Sequence, residues 1–338
     1  MAEDSVRNFR SHYYEKVGFR GVEEKRSLEV LLKEEPLDLD KLCMFTQRFP
    51  IPALYRVMVW KVLLGILPSY QSCHGVVIQQ RTEQYKDLKH AIELLRLASA
   101  KTPIPTVCLH MYRVEMGLTP LDSELEVHLH GMQETDENVL LVETFYMCNQ
   151  IARSLIDDII MSPICRHLEE PKDDEDDFLA IASTMSELAE SELDAYWLSR
   201  CFVLQFNSKH ADSLPHLPKS LEHYLALEEL RLLQHLKVCG ALVRLPYSRW
   251  FRRCFAGSLP NSSLERVWDK VISGSCKLLV FVALAILISF KMTIMKMNMG
   301  DGIVGFLENL PQENADVIAG RAIDLWQKHT GLAAFPLT

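Results

Sequence analysis

The sequence predicts an all-α protein, a helical bundle with a substantial buried core. Apolar side chains recur at spacings of three and four residues along most of the 338-residue chain, which is the period of an amphipathic helix. Residues that start or stop helices, chiefly proline, glycine and serine, lie between these stretches. Hydrophobic residues make up 48% of the chain, which is enough for a core, and alternating strand patterns are weak throughout.

The N-terminal part predicts several helices in succession. Two short helices are expected over residues 27–34 and 39–49, after a polar beginning. The apolar pattern of residues 54–67 predicts a third helix, which Pro68 should end because proline cannot continue a helix. Residues 82–98 predict a longer helix with a marked apolar stripe.

Two interpretations of this stripe are open. Its main members are Tyr85, Leu88, Ile92 and Leu95. Neighbouring apolar residues widen the stripe, and a wide stripe is typical of a core helix in a globular protein, whereas a narrow one is typical of a coiled coil. The core interpretation is therefore favoured. The alternative is that these four residues bind a partner helix.

The middle of the chain interrupts the helical pattern. Residues 120–177 begin with an apolar stretch of helical period, but they end in an acidic run. Positions 169–177 of that run contain seven acidic residues and one lysine, which predicts a solvated loop or linker. Helical order is expected to return at Phe178 and to include a helix over residues 221–238.

The stretch from Leu245 to Phe290 is the most apolar part of the sequence and predicts three consecutive helices. The first should begin at Pro246 and carry one apolar face, formed by Trp250, Phe251, Cys254 and Phe255. Ser262 and Glu265 predict a capping box at the start of the second. The third, over residues 278–290, would rise only about 20 Å, against a hydrocarbon core of ~30 Å. We therefore expect a buried helix and not a membrane span.

Two motifs in these regions resemble those of the TBC domain family, whose members switch off Rab GTPases. The first is similar to the family's opening Arg-x-x-x-Trp motif, and the second to its C-terminal part. The residues that carry the resemblance are Arg56, Trp60, Trp250, Arg266, Trp268 and Asp269. Because Arg56 and Trp60 lie four residues apart on one helix face, we expect this set to be structural.

The resemblance implies a domain organisation. A TBC domain would occupy residues 49–291, with a poorly matched insert at about 120–177. Residues 1–48 would form an N-terminal helical extension packed on the domain, and residues 292–338 a C-terminal helical segment.

The residues that carry the family's reaction are not found. The family donates an arginine finger and a glutamine to the GTPase, from Ile-x-x-Asp-x-x-Arg and Tyr-x-Gln motifs. None of the ten tyrosines here is followed two residues later by glutamine. The nearest remnant of the first motif is Val107-x-x-His110-x-x-Arg113, with histidine in place of aspartate. Arg113 is therefore a weak catalytic candidate, and a TBC scaffold without the family reaction is expected.

The resemblance to the family covers nearly the whole chain apart from a block around residues 120–170, and it implies a non-catalytic subunit of the hamartin–tuberin complex. That resemblance implies that the chain binds the C-terminal coiled coil of hamartin, meets tuberin indirectly and stabilises their assembly. It also implies that the activity toward Rheb belongs to tuberin and that the assembly restrains mTOR complex 1. The implied locations are the cytosol, the lysosomal membrane surface and cytoplasmic vesicles.

Two other functions stay open on the sequence alone. One is an active Rab GTPase-activating protein that uses Arg113 and an unassigned glutamine. The other is a helical bundle of unrelated function.

Composition and minor motifs exclude several other function classes. The net charge of −9 argues against broad nucleic-acid or anionic-membrane binding, and no signal peptide is expected. Nine scattered cysteines without a Cys-x-x-Cys pair indicate reduced thiols. The glycines of Gly300-x-Gly302-x-x-Gly305 predict a turn between helices and not a nucleotide site. His128-x-His130 lacks further ligands nearby, so neither a metal nor a cofactor is expected.

Overall fold

The computed structural model describes residues 22–118, 173–312 and 315–331, which form helices joined by turns, without a β-strand. The helices are α1 (Val22–Leu31), α2 (Leu39–Arg48), α3 (Ala53–Leu63), α4 (His74–Leu94), α5 (Ile104–Glu115), α6 (Asp173–Leu188), α7 (Glu192–His210), α8 (Leu217–Glu228), α9 (Leu230–Val238), α10 (Asn261–Ile272), α11 (Leu278–Ser289), α12 (Lys291–Ile294), α13 (Gly300–Glu308) and α14 (Ala315–Thr330). The predicted all-α class is confirmed.

The chain divides into two compact units. The first contains residues 1–72 and 204–338, and the second contains residues 73–203. Of the described residues, 22–72, 204–312 and 315–331 therefore belong to the first unit. The bounds of the TBC domain and of its two flanking segments stay a prediction.

Helix α11 is the centre of the first unit. Every side chain from Leu278 to Leu287 is fully buried, while Ser289 at the end of the helix is exposed. Helices α8, α10 and α14 pack against α11, and the contact with α14 is the most extensive. This is the buried helix that the apolar run predicted. No helix in the described ranges is both long and apolar enough to cross a membrane.

Three α-helices were predicted between Leu245 and Phe290. The prediction of the first is wrong, because the chain forms a π-helical turn there. The turn covers Ser248–Arg252. The N–H of Phe255 donates to the carbonyl of Trp250, five residues earlier, over 3.1 Å. Cys254 and Phe255 adopt φ angles of 47° and 64°, and the indole of Trp268 donates to the Cys254 carbonyl over 2.9 Å. The apolar residues of the turn and of the segment after it are all buried as predicted, so their spacing indicated burial correctly and helix type incorrectly.

The predicted capping box at the start of α10 is also wrong. The helix begins at Asn261, directly after Pro260, and no side-chain cap bond is made there. This start lies before Ser262, the residue predicted as the cap. Glu265 instead forms an ion pair with Arg56 over 2.6 Å. Glu265 therefore pairs with a residue that is distant in the sequence and not with the cap of its own helix.

Other helix ends differ from the prediction for backbone reasons. Helix α3 ends at Leu63 and not at Pro68, because Gly65 adopts a φ of 70° that reverses the chain. Helix α4 begins at His74 and ends at Leu94, so it starts and stops earlier than the apolar stripe suggested.

The predicted helix over residues 221–238 is two helices. Helices α8 and α9 meet at Glu229, whose φ of −148° and ψ of 67° break the helical path. The glycine motif also differs, since Gly300, Gly302 and Gly305 lie within α13 and not in a turn. A Cβ atom at Gly300 would lie 2.5 Å from the Cys239 carbonyl oxygen, so this position requires glycine for close approach.

In the second unit, α5 packs against both α4 and α6. The ring of Tyr112 on α5 stacks on Phe178 of α6, with centroids 4.6 Å apart. Part of the acidic run is helical, since Asp173 to Asp177 open α6 and Asp177 is buried. The linker prediction is therefore wrong for these five residues. Positions 120–172 of the predicted insert lie outside the described residues.

Trp268 offers a direct test of the core. Its indole is fully buried and holds the Cys254 carbonyl, so Trp268→Ala should lower the free energy of unfolding by about 3–5 kcal/mol. Urea unfolding followed by circular dichroism would measure this change. The matched control is Met44→Ala at an exposed position of the same unit, which should change stability by less than about 0.5 kcal/mol. A loss below about 1 kcal/mol for Trp268→Ala would contradict the assignment.

Candidate functional site

A buried ion pair joins the two sequence motifs in the first unit. Arg56 on α3 donates to Asp269 on α10 from Nε over 3.1 Å and from Nη2 over 3.3 Å. Trp60, one turn further along α3, donates its indole N–H to Oδ1 of Asp269 over 2.9 Å. Asp269 is completely buried, and Arg56 is nearly so. Three N–H donors therefore hold the carboxylate, and they fix α3 against α10.

The remaining donors of Arg56 bind two further groups. Nη1 forms an ion pair with Glu265 over 2.6 Å, and Nη2 also donates to the carbonyl of Ile51 over 2.6 Å. Glu265 lies one turn before Asp269 on α10, so both acids face the same guanidinium. Ile51 belongs to the proline-rich turn that precedes α3. Arg56 therefore fixes this turn as well as the two helices.

Burial dominates the electrostatics of this cluster. It raises the pKa of Asp269, while the neighbouring Arg56 guanidinium works against that rise. Burial likewise raises the pKa of Glu265. Every donor and acceptor described here is satisfied by the chain itself, so the arrangement holds elements together and offers no reactive group to a substrate.

Lys270, the residue after Asp269, is a buried cation that the sequence analysis missed. Its Nζ donates to the carbonyl of Thr46 in the last turn of α2 and, over 2.6 Å, to the carbonyl of Phe49 just beyond that helix. A cation at this end of a helix satisfies unpaired carbonyls and complements the helix dipole. The available signal was its position on the apolar face of α10, immediately before Val271.

The other motif residues lie around this cluster. Trp60 and Trp268 are in contact, with ring centroids 6.3 Å apart. Trp250 is buried in the π-helical turn, and its indole N–H has no hydrogen-bond partner among the described residues. Arg266 is half-buried, and its guanidinium reaches toward Gly320 on α14. The structure thus brings Arg56, Trp60, Trp268 and Asp269 together and places Trp250 and Arg266 beside other elements.

Arg113, the weak catalytic candidate, lies in the second unit at the end of α5. It forms an ion pair with Glu175 on α6, and it donates to the carbonyl of Leu118 over 3.2 Å. Burial and the Arg113 charge both lower the pKa of His110, the residue that replaces the motif's aspartate. Arg113 is half-buried, and its guanidinium binds groups within its own unit.

The four residues proposed as a partner-binding stripe are not exposed. Tyr85, Leu88, Ile92 and Leu95 are all buried. The hydroxyl of Tyr85 donates to Glu192 on α7 over 3.0 Å, and burial raises the pKa of this tyrosine. A buried stripe presents no free apolar surface to a partner, so the core interpretation replaces the partner interpretation.

The described residues do not form a metal site. They contain no group of three or more histidine, cysteine, aspartate or glutamate side chains placed to hold an ion. His128 and His130 lie outside the described residues.

Comparison with known proteins gives consistent matches. The Rab-GTPase-TBC domain family matches residues 177–295. TBC1 domain family member 7 of Homo sapiens is 50% identical over 331 residues, which is 98% of each chain. TBC1 domain family member 7 of Danio rerio is 51% identical over 332 residues, again 98% of each chain.

Solved structures show the same fold. The crystal structure of the Ypt/Rab-GAP domain of Gyp1p aligns with a TM-score of 0.50 and 17% identity, covering 91% of this chain and 99% of that one. The Chlamydomonas flagellar RabGAP TBC domain aligns with a TM-score of 0.50 and 16% identity, covering 96% of this chain and 92% of that one.

Lys270 should give the stability of the protein a distinctive pH dependence. Burial lowers the pKa of Lys270 from 10.5 to about 8. Above that pH the folded chain releases a proton that the unfolded chain keeps until about pH 10.5, so this group favours the folded state increasingly as the pH rises. The unfolding free energy of the wild type minus that of Lys270→Met should therefore rise by about 1–3 kcal/mol between pH 8 and pH 10.

Urea titrations at each pH would measure this difference. Lys296→Met, at an exposed position in the same unit, is the control and should leave the pH profile unchanged. If the difference in unfolding free energy between the wild type and Lys270→Met does not change with pH, the lysine is charged and solvated throughout this range.

Proposed function

The chain belongs to the TBC1 domain family member 7 group of Rab-GTPase-TBC proteins, and on this premise we propose that it is a non-catalytic binding subunit. Its partner is the C-terminal coiled coil of hamartin, and it stabilises the assembly of hamartin with tuberin. That assembly accelerates GTP hydrolysis by Rheb and so restrains mTOR complex 1.

The observation that carries the proposal is the match along nearly the whole length of both chains. A likeness confined to the TBC motifs would indicate the fold alone, since one fold supports several functions. Here about half of all residues are shared with the vertebrate relatives over 98% of the chain. The family resemblance then supplies the partner, hamartin, and the contact with tuberin follows indirectly through it.

The proposed lack of catalysis has separate support. An arginine finger must reach the phosphoryl group of the GTPase, where it can accelerate hydrolysis by roughly 10³–10⁵. Arg113 instead pairs with Glu175 and donates to a backbone carbonyl in its own unit. The Tyr-x-Gln motif is missing from the sequence. The retained residues Arg56, Trp60 and Asp269 are buried and bind one another, which suits a structural role.

The proposed locations follow from the partner. The chain would be present in the cytosol and on cytoplasmic vesicles, and it would reach the lysosomal membrane surface as part of the hamartin–tuberin assembly. Rheb would be met through that assembly, and direct contact with a Rab GTPase is not required.

Capture of hamartin is the direct test of binding. The purified chain should co-elute with a hamartin C-terminal coiled-coil fragment in size-exclusion chromatography, and the fragment's melting temperature should rise. A globular protein of unrelated fold and similar net charge serves as the control. If the chain and the fragment elute separately at micromolar concentrations, the proposed function fails.

Catalysis is tested by single-turnover GTP hydrolysis with a panel of Rab proteins and with Rheb. The chain alone should not change the rate, and Arg113→Ala should behave as the wild type because Arg113 is engaged with Glu175. Lys296→Ala, at an exposed position, is the matched control. If the wild type accelerates a Rab and Arg113→Ala loses at least tenfold at equal folding, the chain is an active Rab GTPase-activating protein.

A further inference from the structure

In the second unit, two points that are distant in the sequence are neighbours in space. Helix α5 is followed by Leu118, residues 119–172 lie outside the described residues, and α6 begins at Asp173. Helices α5 and α6 nevertheless pack against each other. The point where the chain enters this long segment and the point where it returns therefore lie close together. One side chain, that of Arg113, contacts both.

Arg113 binds both polar backbone groups of Leu118, the last described residue before the segment. The N–H of Leu118 donates to the Arg113 carbonyl over 2.7 Å, and Nη2 of Arg113 donates to the Leu118 carbonyl over 3.2 Å. Between them, Gly117 adopts a φ of 63°, the left-handed conformation that commonly ends a helix. The position of the chain where it enters the segment is therefore set by α5.

The same guanidinium binds the chain where it returns from the segment. Arg113 forms an ion pair with Glu175, in the first turn of α6. In the next turn, the ring of Phe178 stacks on that of Tyr112, with centroids 4.6 Å apart. Helix α6 opens with a run of acidic residues, which complement the dipole at the start of a helix. The start of α6 is therefore stabilised by α5 and by its own sequence.

Helix α7 also holds the last turn of α5. Glu115 accepts hydrogen bonds from the hydroxyl of Tyr196 over 2.5 Å and from Nε of Arg200 over 2.6 Å. Tyr196 is fully buried, and burial raises its pKa, so the hydroxyl keeps its proton and remains a donor. Contacts among described residues of α5, α6 and α7 are therefore sufficient to position Arg113.

The family match gives an independent boundary at the same place. The Rab-GTPase-TBC match begins at residue 177, two positions after Glu175. The opening motif of the family, which contains Arg56 and Trp60, lies before α5. The poorly matched part of the sequence therefore lies between these two parts, and it ends where Arg113 contacts the returning chain.

We propose that residues 119–172 are an insertion without which the second unit folds, and that Arg113 joins its two ends. We call the contacts of Arg113 with Leu118 and Glu175 the Arg113 junction. The weak catalytic candidate of the sequence thus has a structural task, which is to hold α5 against α6 where the insertion begins and ends. The Arg113 junction concerns the second unit alone and does not depend on the partner proposed above.

The alternative is that residues 119–172 belong to the core of the second unit. Their apolar positions of helical period, among them Leu141, Phe145 and Leu155, favour this alternative. The adjacency of the two ends and the boundary of the family match favour the insertion. The two interpretations predict opposite results of deletion, because a unit that loses part of its core unfolds, whereas a unit that loses an insertion does not.

Deletion is the direct test. Residues 119–172 are replaced, in the otherwise full-length chain, by a linker of eight glycine and serine residues, or by one of sixteen that excludes linker strain. A loop shortened about sevenfold should raise the ratio of folded to unfolded chain by roughly tenfold. Both variants should therefore unfold cooperatively, with a Tm no more than about 5 °C below that of the wild type. If both melt at lower temperatures or do not fold, the segment belongs to the core and the proposal is overturned.

Hydrogen exchange of the full-length chain tests the Arg113 junction itself. Arg113→Ala should speed the exchange of the backbone amides of residues 117–118 and 177–180 at least tenfold, because the ends of α5 and α6 then open locally. Lys101→Ala, at an exposed position of the same unit, is the matched control and should leave these rates unchanged. Unchanged rates in Arg113→Ala would overturn the Arg113 junction, whatever the deletion shows.

Two further variants distinguish the Arg113 junction from a general loss of stability. Glu175→Ala should speed exchange at residues 177–180, and its combination with Arg113→Ala should add little there, because both changes remove the same ion pair. In the variant with the eight-residue linker, Arg113→Ala should have a smaller effect, because the linker itself keeps the two ends together. Equal acceleration of exchange throughout the second unit would indicate general destabilisation and would overturn the proposed role of Arg113.

Discussion

The buried carboxylate of Asp269 is the constraint on which the first unit depends. A charge in a dry interior is costly unless donors surround it, and removing one partner of such a pair costs about 3–5 kcal/mol. Arg56 and Trp60 supply these donors, so α3 must lie against α10 in one register. Arg56 then reaches Ile51 and fixes the turn before α3. Lys270, one residue beyond Asp269, holds the end of α2 by its carbonyls.

Around this cluster, the apolar interior is built on α11. Because that helix is buried on all sides, it needs neighbours in every direction, and α8, α10 and α14 supply them. Helix α14 comes from the last part of the chain, so the C-terminal segment is integral to the first unit. The same packing leaves α9 and residues 291–299 at the periphery.

The structural residues of the TBC motifs and the catalytic candidate make different kinds of contact in this chain. Arg56 and Trp60 hold Asp269 between α3 and α10, and Trp268 contacts Trp60. Arg113, the weak catalytic candidate of the sequence, pairs with Glu175 on a neighbouring helix. A fold can keep its stabilising residues while it changes its use, because stability and chemistry depend on different side chains. The proposed binding role is consistent with this separation.

The sequence by itself determined the all-α class, the family and the burial of residues 278–288, because helical period and continuous apolarity are local properties. It also singled out Arg56, Trp60 and Asp269, but not Lys270. Only the tertiary structure decided what those residues bind. Glu265 was expected to cap its own helix and pairs instead with Arg56, more than two hundred positions away. The stripe of α4 proved to be core, and the π-helical turn replaced a helix, because an apolar pattern reports which side chains are buried but not which elements cover them.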